Sequence, residues 1–410
     1  MGAQAIQAST RRPAKALLMT TFKEPRTYRF FSVWITSGLV LYLCGFFLAP
    51  SSKAQYLTLY IGLILPALYF SLWQGKRYFL LEDRTLLWVL AITLALYLPS
   101  LWVTGDALDT LRKNLKGVVF VMSLAVAVRH LHMHYPALAA RIPAILFASS
   151  LAALCLFYVV LAQQGLLSNG NIGMGNLGDN PNEAGLALSV GLLILAIHLI
   201  KQPSITGFLL VITFVLAIYL ANSRSAMLGL AVTLPFAFLF EQQQRKLAIT
   251  YLLACIIGAG IIVILMLQGI LDGERLLSSR PSLWAEFLSH YSNFNLWWGS
   301  GLAGSITVFS NVQGVKLEPH SLYFALVLRG GLLAAALYVI LVILAIQKHT
   351  SSTPANNIWL YILLFGLVTQ GFEGVYPVRP PNSFWLYTWI PILMLIMNTN
   401  REYRPRHEQL

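Results

Sequence analysis

Residues 321–346 read SLYFALVLRGGLLAAALYVILVILAI, twenty-six residues in which Arg329 is the lone charge. A run of that length and composition is long enough to cross a bilayer as a helix. Immediately before it, Gly269–His320 is a polar stretch of about fifty residues carrying Arg275, Arg280 and His320. The rest of the chain repeats the contrast. It is 57% hydrophobic and 10% charged over 410 residues, with a mean hydropathy of +0.69, whereas a soluble domain carries about 25% charged residues. The composition therefore defines an all-α polytopic membrane protein. In such a protein the chemistry concentrates where polar residues gather.

Apolar runs predict about twelve transmembrane helices: Phe30–Leu48, Tyr56–Trp73, Leu86–Val103, Gly117–Leu131, Ile142–Ala162, Ala184–Ile200, Ile205–Ala221, Ala226–Phe240, Ala248–Leu267, Ser321–Ile346, Ile358–Val375 and Ser383–Met397. The fourth and eighth are short, and the sixth and seventh nearly abut. The expected organisation is a cytoplasmic tail (1–29), spans one to nine (30–268), a long periplasmic loop (269–320), spans ten to twelve (321–398) and a second cytoplasmic tail (399–410). Eighteen of the 28 Lys and Arg residues fall on the side of the termini, the bias expected of a cytoplasmic face. The net charge of +13 is then mostly a topological signal and gives no support to nucleic-acid binding. A basic, polar start followed by a full-length span predicts no cleaved leader.

Cys44, Cys155 and Cys255 lie in expected spans without metal-ligand or disulfide spacing. His130, His132 and His134 form an HxHxH run, but on the expected cytoplasmic side and without a nearby carboxylate, so no metal or other cofactor is expected. Asp106 and Asp109 have the wrong spacing for a DxD motif. They suit an interfacial helix with Arg112, Lys113 and Lys116 on its polar face.

The outer face carries the candidate site residues. Arg224 stands in Asn222-Ser223-Arg224-Ser225, where two spans meet with almost no loop. It is either a snorkelling interface arginine or an anion-binding one, since a guanidinium fork grips phosphate in a bidentate manner. Arg280 stands in Ser278-Ser279-Arg280-Pro281-Ser282-Leu283-Trp284. A serine cap and an early proline predict a helix start there, where the free backbone amides add to a phosphate cradle. The alternative is a loop arginine paired with Glu274 or Glu286. Arg275, beside Glu274, is a weaker candidate. The stretch Ser282–Tyr291 has the pattern of an amphipathic interface helix. His320, in Pro319-His320-Ser321-Leu322-Tyr323, can take a proton near neutral pH, with Glu318 placed to orient it; it can equally be an interface residue of the fold. Asn180, Asn182 and Tyr323 are further candidates for substrate binding. Arg379 and Lys316 are candidates for lipid phosphates or interface anchors.

The order Asn-Ser-Arg-Ser (222–225), Ser-Ser-Arg-Pro-Ser-Leu-Trp (278–284), Trp-Gly-Ser-Gly-Leu (298–302), Pro-His-Ser-Leu-Tyr (319–323) and Arg-Gly-Gly (329–331) resembles the O-antigen ligase and polymerase superfamily, over about 170 residues. The resemblance implies a GT-C-type membrane bundle with a periplasmic helical loop region. It also implies a metal-independent glycosyltransferase at the periplasmic face of the bacterial inner membrane. The donor would be an undecaprenyl-pyrophosphate-linked O-antigen glycan and the acceptor lipid A–core, in lipopolysaccharide biosynthesis. By position Arg224 and Arg280 match the family's pyrophosphate-binding arginines, and His320 matches its catalytic histidine. Ser321 departs from the Asn that often follows the histidine in ligases. The moderate loop and short carboxy-terminal tail fit a ligase best. A polymerase is the alternative within the superfamily, and a transporter or flippase the alternative outside it. A transporter would line the bilayer midplane with polar residues, whereas here they sit at the outer rim.

Overall fold

The computed structural model describes residues 26–73, 84–102, 105–164, 181–241, 249, 264, 268, 280–290, 295–302, 306–310, 315–350, 357–374, 376, 378 and 382–397. Helices dominate, because a backbone in lipid must satisfy its own hydrogen bonds. In chain order they are α1 (Arg26–Leu48), α2 (Ser52–Leu59) running through a π turn (Tyr60–Ile64) into α3 (Leu65–Trp73), α4 (Arg84–Ala95), α5 (Ala107–His134), α6 (Pro136–Gln164), α7 (Pro181–Lys201), α8 (Ile205–Leu220), α9 (Arg224–Phe240), α10 (Arg280–Ser289), α11 (Leu322–Thr350), α12 (Asn357–Thr369), α13 (Phe384–Tyr387) and α14 (Trp389–Met397).

Six helical stretches among the described residues are long and apolar enough to cross a membrane, and five shorter apolar helices accompany them. These eleven coincide with eleven of the expected spans; the expected Ala248–Leu267 span lies outside the described residues. The core is built around α14, all nine of whose residues are buried. It packs against α5, α11, α12 and α13.

Four departures from the sequence reading follow from local chemistry. The expected interfacial helix at Asp106 is the first part of a continuous 28-residue α5. Asp106 caps it by accepting from Asp109 N (3.3 Å), and Asp109 pairs with Lys113 at 2.6 Å, one turn on. The expected span ending at Val375 stops at Thr369, and a turn follows through Gln370–Gly374. Gln370 holds that turn in the core: Tyr338 donates to Oε1 at 2.7 Å and Nε2 donates to Thr388 at 2.8 Å. The polar segment before His320 contains a small antiparallel hairpin, β1 (Val308–Ser310) with β2 (Val315–Leu317), among described residues that are otherwise mainly helical.

The fourth departure is a break in α11. Gly331 has φ 72° and ψ −175°, so one expected span is two helical segments. The groups freed by the break are taken by residues 296–301. Ser300 N donates to Leu328 O at 2.9 Å, Gly301 N to Arg329 O at 2.8 Å, and Leu332 N to Leu296 O at 2.8 Å. A side chain at Gly331 would put its Cβ 1.9 Å from Trp297 O, and one at Gly299 would meet the Arg329 carbonyl carbon at 2.2 Å. Only glycine fits this crossing.

Candidate active site at one end of the bundle

His320 ends the segment that follows β2, and it adopts φ 44°, a left-handed conformation that non-glycine residues seldom take. Such a conformation persists when its surroundings over-determine it, and here they do. Trp284 Nε1 of α10 donates to Pro319 O at 3.0 Å. Trp284 also stacks on Phe324 (centroids 5.4 Å) and leans on Phe372 (6.0 Å). On the far side of the histidine, Leu322 N donates to Gln370 O (2.9 Å) and Glu373 O (3.2 Å). Tyr323 donates its hydroxyl proton to Leu367 O at 2.5 Å. His320 as a whole residue keeps access to solvent.

The described part of α10 begins at Arg280, and the serines expected to cap it lie outside the described residues. The partner of Arg280 is Glu373, with Nη2 to Oε1 at 2.5 Å and both side chains only 12% exposed; of the two expected partners, Glu286 lies 3.8 Å from His290 and Glu274 falls outside the described residues. The same Glu373 oxygen accepts from Ser225 Oγ at 3.4 Å. Burial raises the Glu373 carboxyl above the usual range, Arg280 and Ser225 pull it down, and Glu183 in the first turn of α7 adds a further push up. Glu373 was not singled out in the sequence. The available signal was a lone acid, Gly371-Phe372-Glu373-Gly374, at the end of an apolar run in a chain poor in carboxylates.

Arg224 is the first residue of α9 and is exposed, while Ser223 and Ser225 on either side are buried. The short link before it holds Asn222 at φ 51°, a conformation Asn tolerates better than most residues. Ser223 Oγ donates to Asn182 O at 3.2 Å, which fixes the start of α9 against the start of α7. Asn182 therefore enters through its backbone, with its side chain half-buried. Arg275, Arg379 and Asn180 lie outside the described residues.

The electrostatics favour a neutral imidazole. His320 is held below its ordinary pKa of 6.5, first by burial against surrounding protein and then by the Arg280 guanidinium, with Glu318 acting in the opposite direction. Glu318 is engaged elsewhere. It lies 3.7 Å from Arg329 Nη2 and accepts from the Tyr376 hydroxyl at 3.4 Å. Beside this cluster an apolar cavity of about 310 Å³ opens between α10 and the first segment of α11, lined by Phe287, Leu288, Leu296, Tyr323, Phe324 and Val327 among others.

At the other end of α5 the HxHxH residues make ordinary packing contacts. His130 Nε2 shares a hydrogen bond with Ser32 Oγ (2.9 Å), and His134 Nε2 shares one with Tyr28 Oη (3.0 Å). Among the described residues no three His, Cys, Asp or Glu side chains group as metal ligands would.

Fold and site together define a polytopic, all-α integral membrane protein with an arginine–carboxylate–histidine cluster where several helices begin. Residues 208–339, which hold Arg224, Arg280 and His320, match the family model described as O-antigen ligase. A stretch of 176 residues is 27% identical to an O-antigen ligase of Pseudomonas aeruginosa, covering 42% of this chain and 43% of that protein. Over this segment the chain is similar to the O-antigen ligase family. The match spans less than half of the relative's length. No solved structure matches the chain.

Proposed function

We propose that this protein transfers an undecaprenyl-pyrophosphate-linked O-antigen glycan to a sugar hydroxyl of lipid A–core, by a metal-independent, inverting displacement. The acceptor hydroxyl attacks the anomeric carbon of the donor's first sugar, its proton passes to His320, and the glycosidic bond to undecaprenyl pyrophosphate breaks. Arg224 and Arg280 meet the negative charge that grows on the departing pyrophosphate. Donors fixed in place before the reaction lower the barrier, because they bind the transition state better than the ground state.

One observation carries this reading. Glu373 touches the segments bearing all three residues: Ser225 next to Arg224, Arg280 itself, and Leu322 N two residues past His320. Three motifs far apart in sequence therefore meet at one end of the bundle. The lowered His320 pKa supports a base that is neutral at pH 7. The apolar cavity beside Tyr323 suits a donor whose leaving group carries a lipid chain. In this reading the cluster faces the periplasm, both termini lie in the cytoplasm, and the bundle is of the GT-C type in the bacterial inner membrane.

The test is transfer with purified protein, lipid A–core and lipid-linked glycan in EDTA, comparing wild type with His320→Ala. Transfer that survives chelation and collapses in the variant is expected. Chains that lengthen on the lipid carrier, with none moved to lipid A–core, would assign the protein as a polymerase instead.

A further inference from the structure

The break in α11 gathers more than backbone. Arg329, two residues before Gly331, is fully buried. Its carbonyl takes Gly301 N, as described. Its guanidinium carbon sits 4.0 Å from the centre of the Tyr376 ring, Nη2 donates to the Tyr376 hydroxyl at 2.7 Å, and the same nitrogen lies 3.7 Å from Glu318 Oε1. Tyr376 closes the triangle by donating to Glu318 at 3.4 Å. One buried cation thus joins the Trp-Gly-Ser-Gly-Leu motif, the turn after α12, and the residue two positions before His320.

A charge held without water inside a protein is costly unless it is paired and hydrogen-bonded, so the site is built around this arginine. Lysine would not replace it, because only a planar guanidinium can lie on a ring face while its edge donates to the hydroxyl and pairs with the carboxylate. What it holds is the upstream anchor of a strained turn. Pro319 O is fixed by Trp284 and Leu322 N by Gln370 and Glu373, and Glu318 is a further side-chain tether ahead of the φ 44° residue.

The geometry points to Arg329 as the positioning residue of His320: its guanidinium fixes the Glu318 carboxylate, and through it both the turn that presents the imidazole and the negative charge the imidazole feels. This rests on the reading of His320 as the proton acceptor. The charged groups facing His320 are Glu318 on its own segment and Arg280 from α10. Behind Arg280 stand Glu373 from the turn after α12 and Glu183 from α7. Removing Arg329 leaves Glu318 with less compensating positive charge, so protonation of His320 becomes easier. Removing the Glu318 charge makes it harder.

The experiment reads His320 directly. Full-length protein in detergent is treated with diethyl pyrocarbonate, which carbethoxylates neutral imidazole, and the rate at the His320 peptide is followed by mass spectrometry against pH. Arg329→Met should raise the midpoint by about half a pH unit or more, Glu318→Gln should lower it by a similar amount, and Arg329→Lys should fall between Arg329→Met and wild type. In the transfer assay, Arg329→Met should lower kcat roughly 10-fold or more with donor KM within about 2-fold, as displacement of a catalytic group does. Tyr376→Phe keeps the ring and loses the hydroxyl, so its kcat should fall less. Midpoints that stay at the wild-type value in folded Arg329→Met and Glu318→Gln proteins would overturn the inference. If Arg329→Met does not fold, Glu318→Gln and Tyr376→Phe decide it. Shifted midpoints with a wild type that transfers nothing would instead sink the proposed activity and leave the positioning role standing.

Discussion

Arg280 Nη2 and Glu373 Oε1 lie 2.5 Å apart in a site where each side chain is 12% exposed, so a helix start and a loop 93 residues away are joined by one charge-assisted hydrogen bond. A guanidinium has five N–H donors in a rigid fork. A carboxylate on one side of it sets the direction in which the others point.

Glu373→Ala should therefore lower kcat/KM by roughly 10²-fold, the scale of losing an aligned electrostatic donor, with Glu373→Gln less affected because its amide oxygen still accepts from Ser225. Steady-state transfer rates check this. A rise in rate on substitution would mean that Glu373 competes with the donor for Arg280 rather than aligning it.

The pH profile follows from the direction of the His320 shift. A base must be neutral, and His320 is held below 6.5, so kcat/KM should rise with pH through a value under 6.5 and be level by pH 7. Arg280 is one cause of that lowering, so Arg280→Gln should move the acid limb to higher pH as well as slow the reaction. A limb that stays in place in this variant would remove Arg280 from the surroundings of the base.

Arg224 carries its charge on an exposed side chain at a helix start. Arg224→Ala should weaken inhibition by inorganic pyrophosphate about 10-fold or more, with Arg224→Lys recovering part of the loss, since a lysine keeps the charge but not the fork. Equal inhibition of all three proteins would return Arg224 to the role of interface anchor.

Trp284→Phe retains an aromatic ring for stacking on Phe324 but loses the bond to Pro319 O, a difference of about 1 kcal/mol. Thermal unfolding in detergent should shift little, while kcat should fall several-fold because the His320 turn loosens. Unchanged kcat would separate Trp284 from the turn.

Gly331→Ala is expected to be damaging for a different reason. Its Cβ would lie 1.9 Å from Trp297 O on a residue at φ 72°, so both space and backbone oppose it. A loss of more than about 1 kcal/mol should appear as earlier thermal unfolding and poor recovery of folded protein.

The sequence made the bundle readable because apolar run length reports a helix in lipid directly: eleven expected spans fall on observed helices, with boundaries such as Ile205–Ala221 against Ile205–Leu220. The helix that carries Arg280 was legible from serine, proline and their spacing. Glu373 was not, since nothing in Gly-Phe-Glu-Gly says that a residue 148 positions from Ser225 will meet it. Nor was the role of Arg329. Hydropathy counts the whole of Ser321–Ile346 as one rod, and the partners that relieve the break come from residues 296–301. The hairpin escaped notice because three-residue strands carry too few alternations to register.

The division of α11 at Gly331 has a mechanical meaning. The short segment Leu322–Gly330 shares its hydrogen bonds with the loops around His320, while the longer segment beyond it packs into the hydrocarbon-spanning core. A rigid helix would pass every tilt imposed by bilayer thickness straight to its tip. A broken one, its carbonyls at 328 and 329 bonded to residues 300 and 301, gives the segment next to His320 an axis of its own.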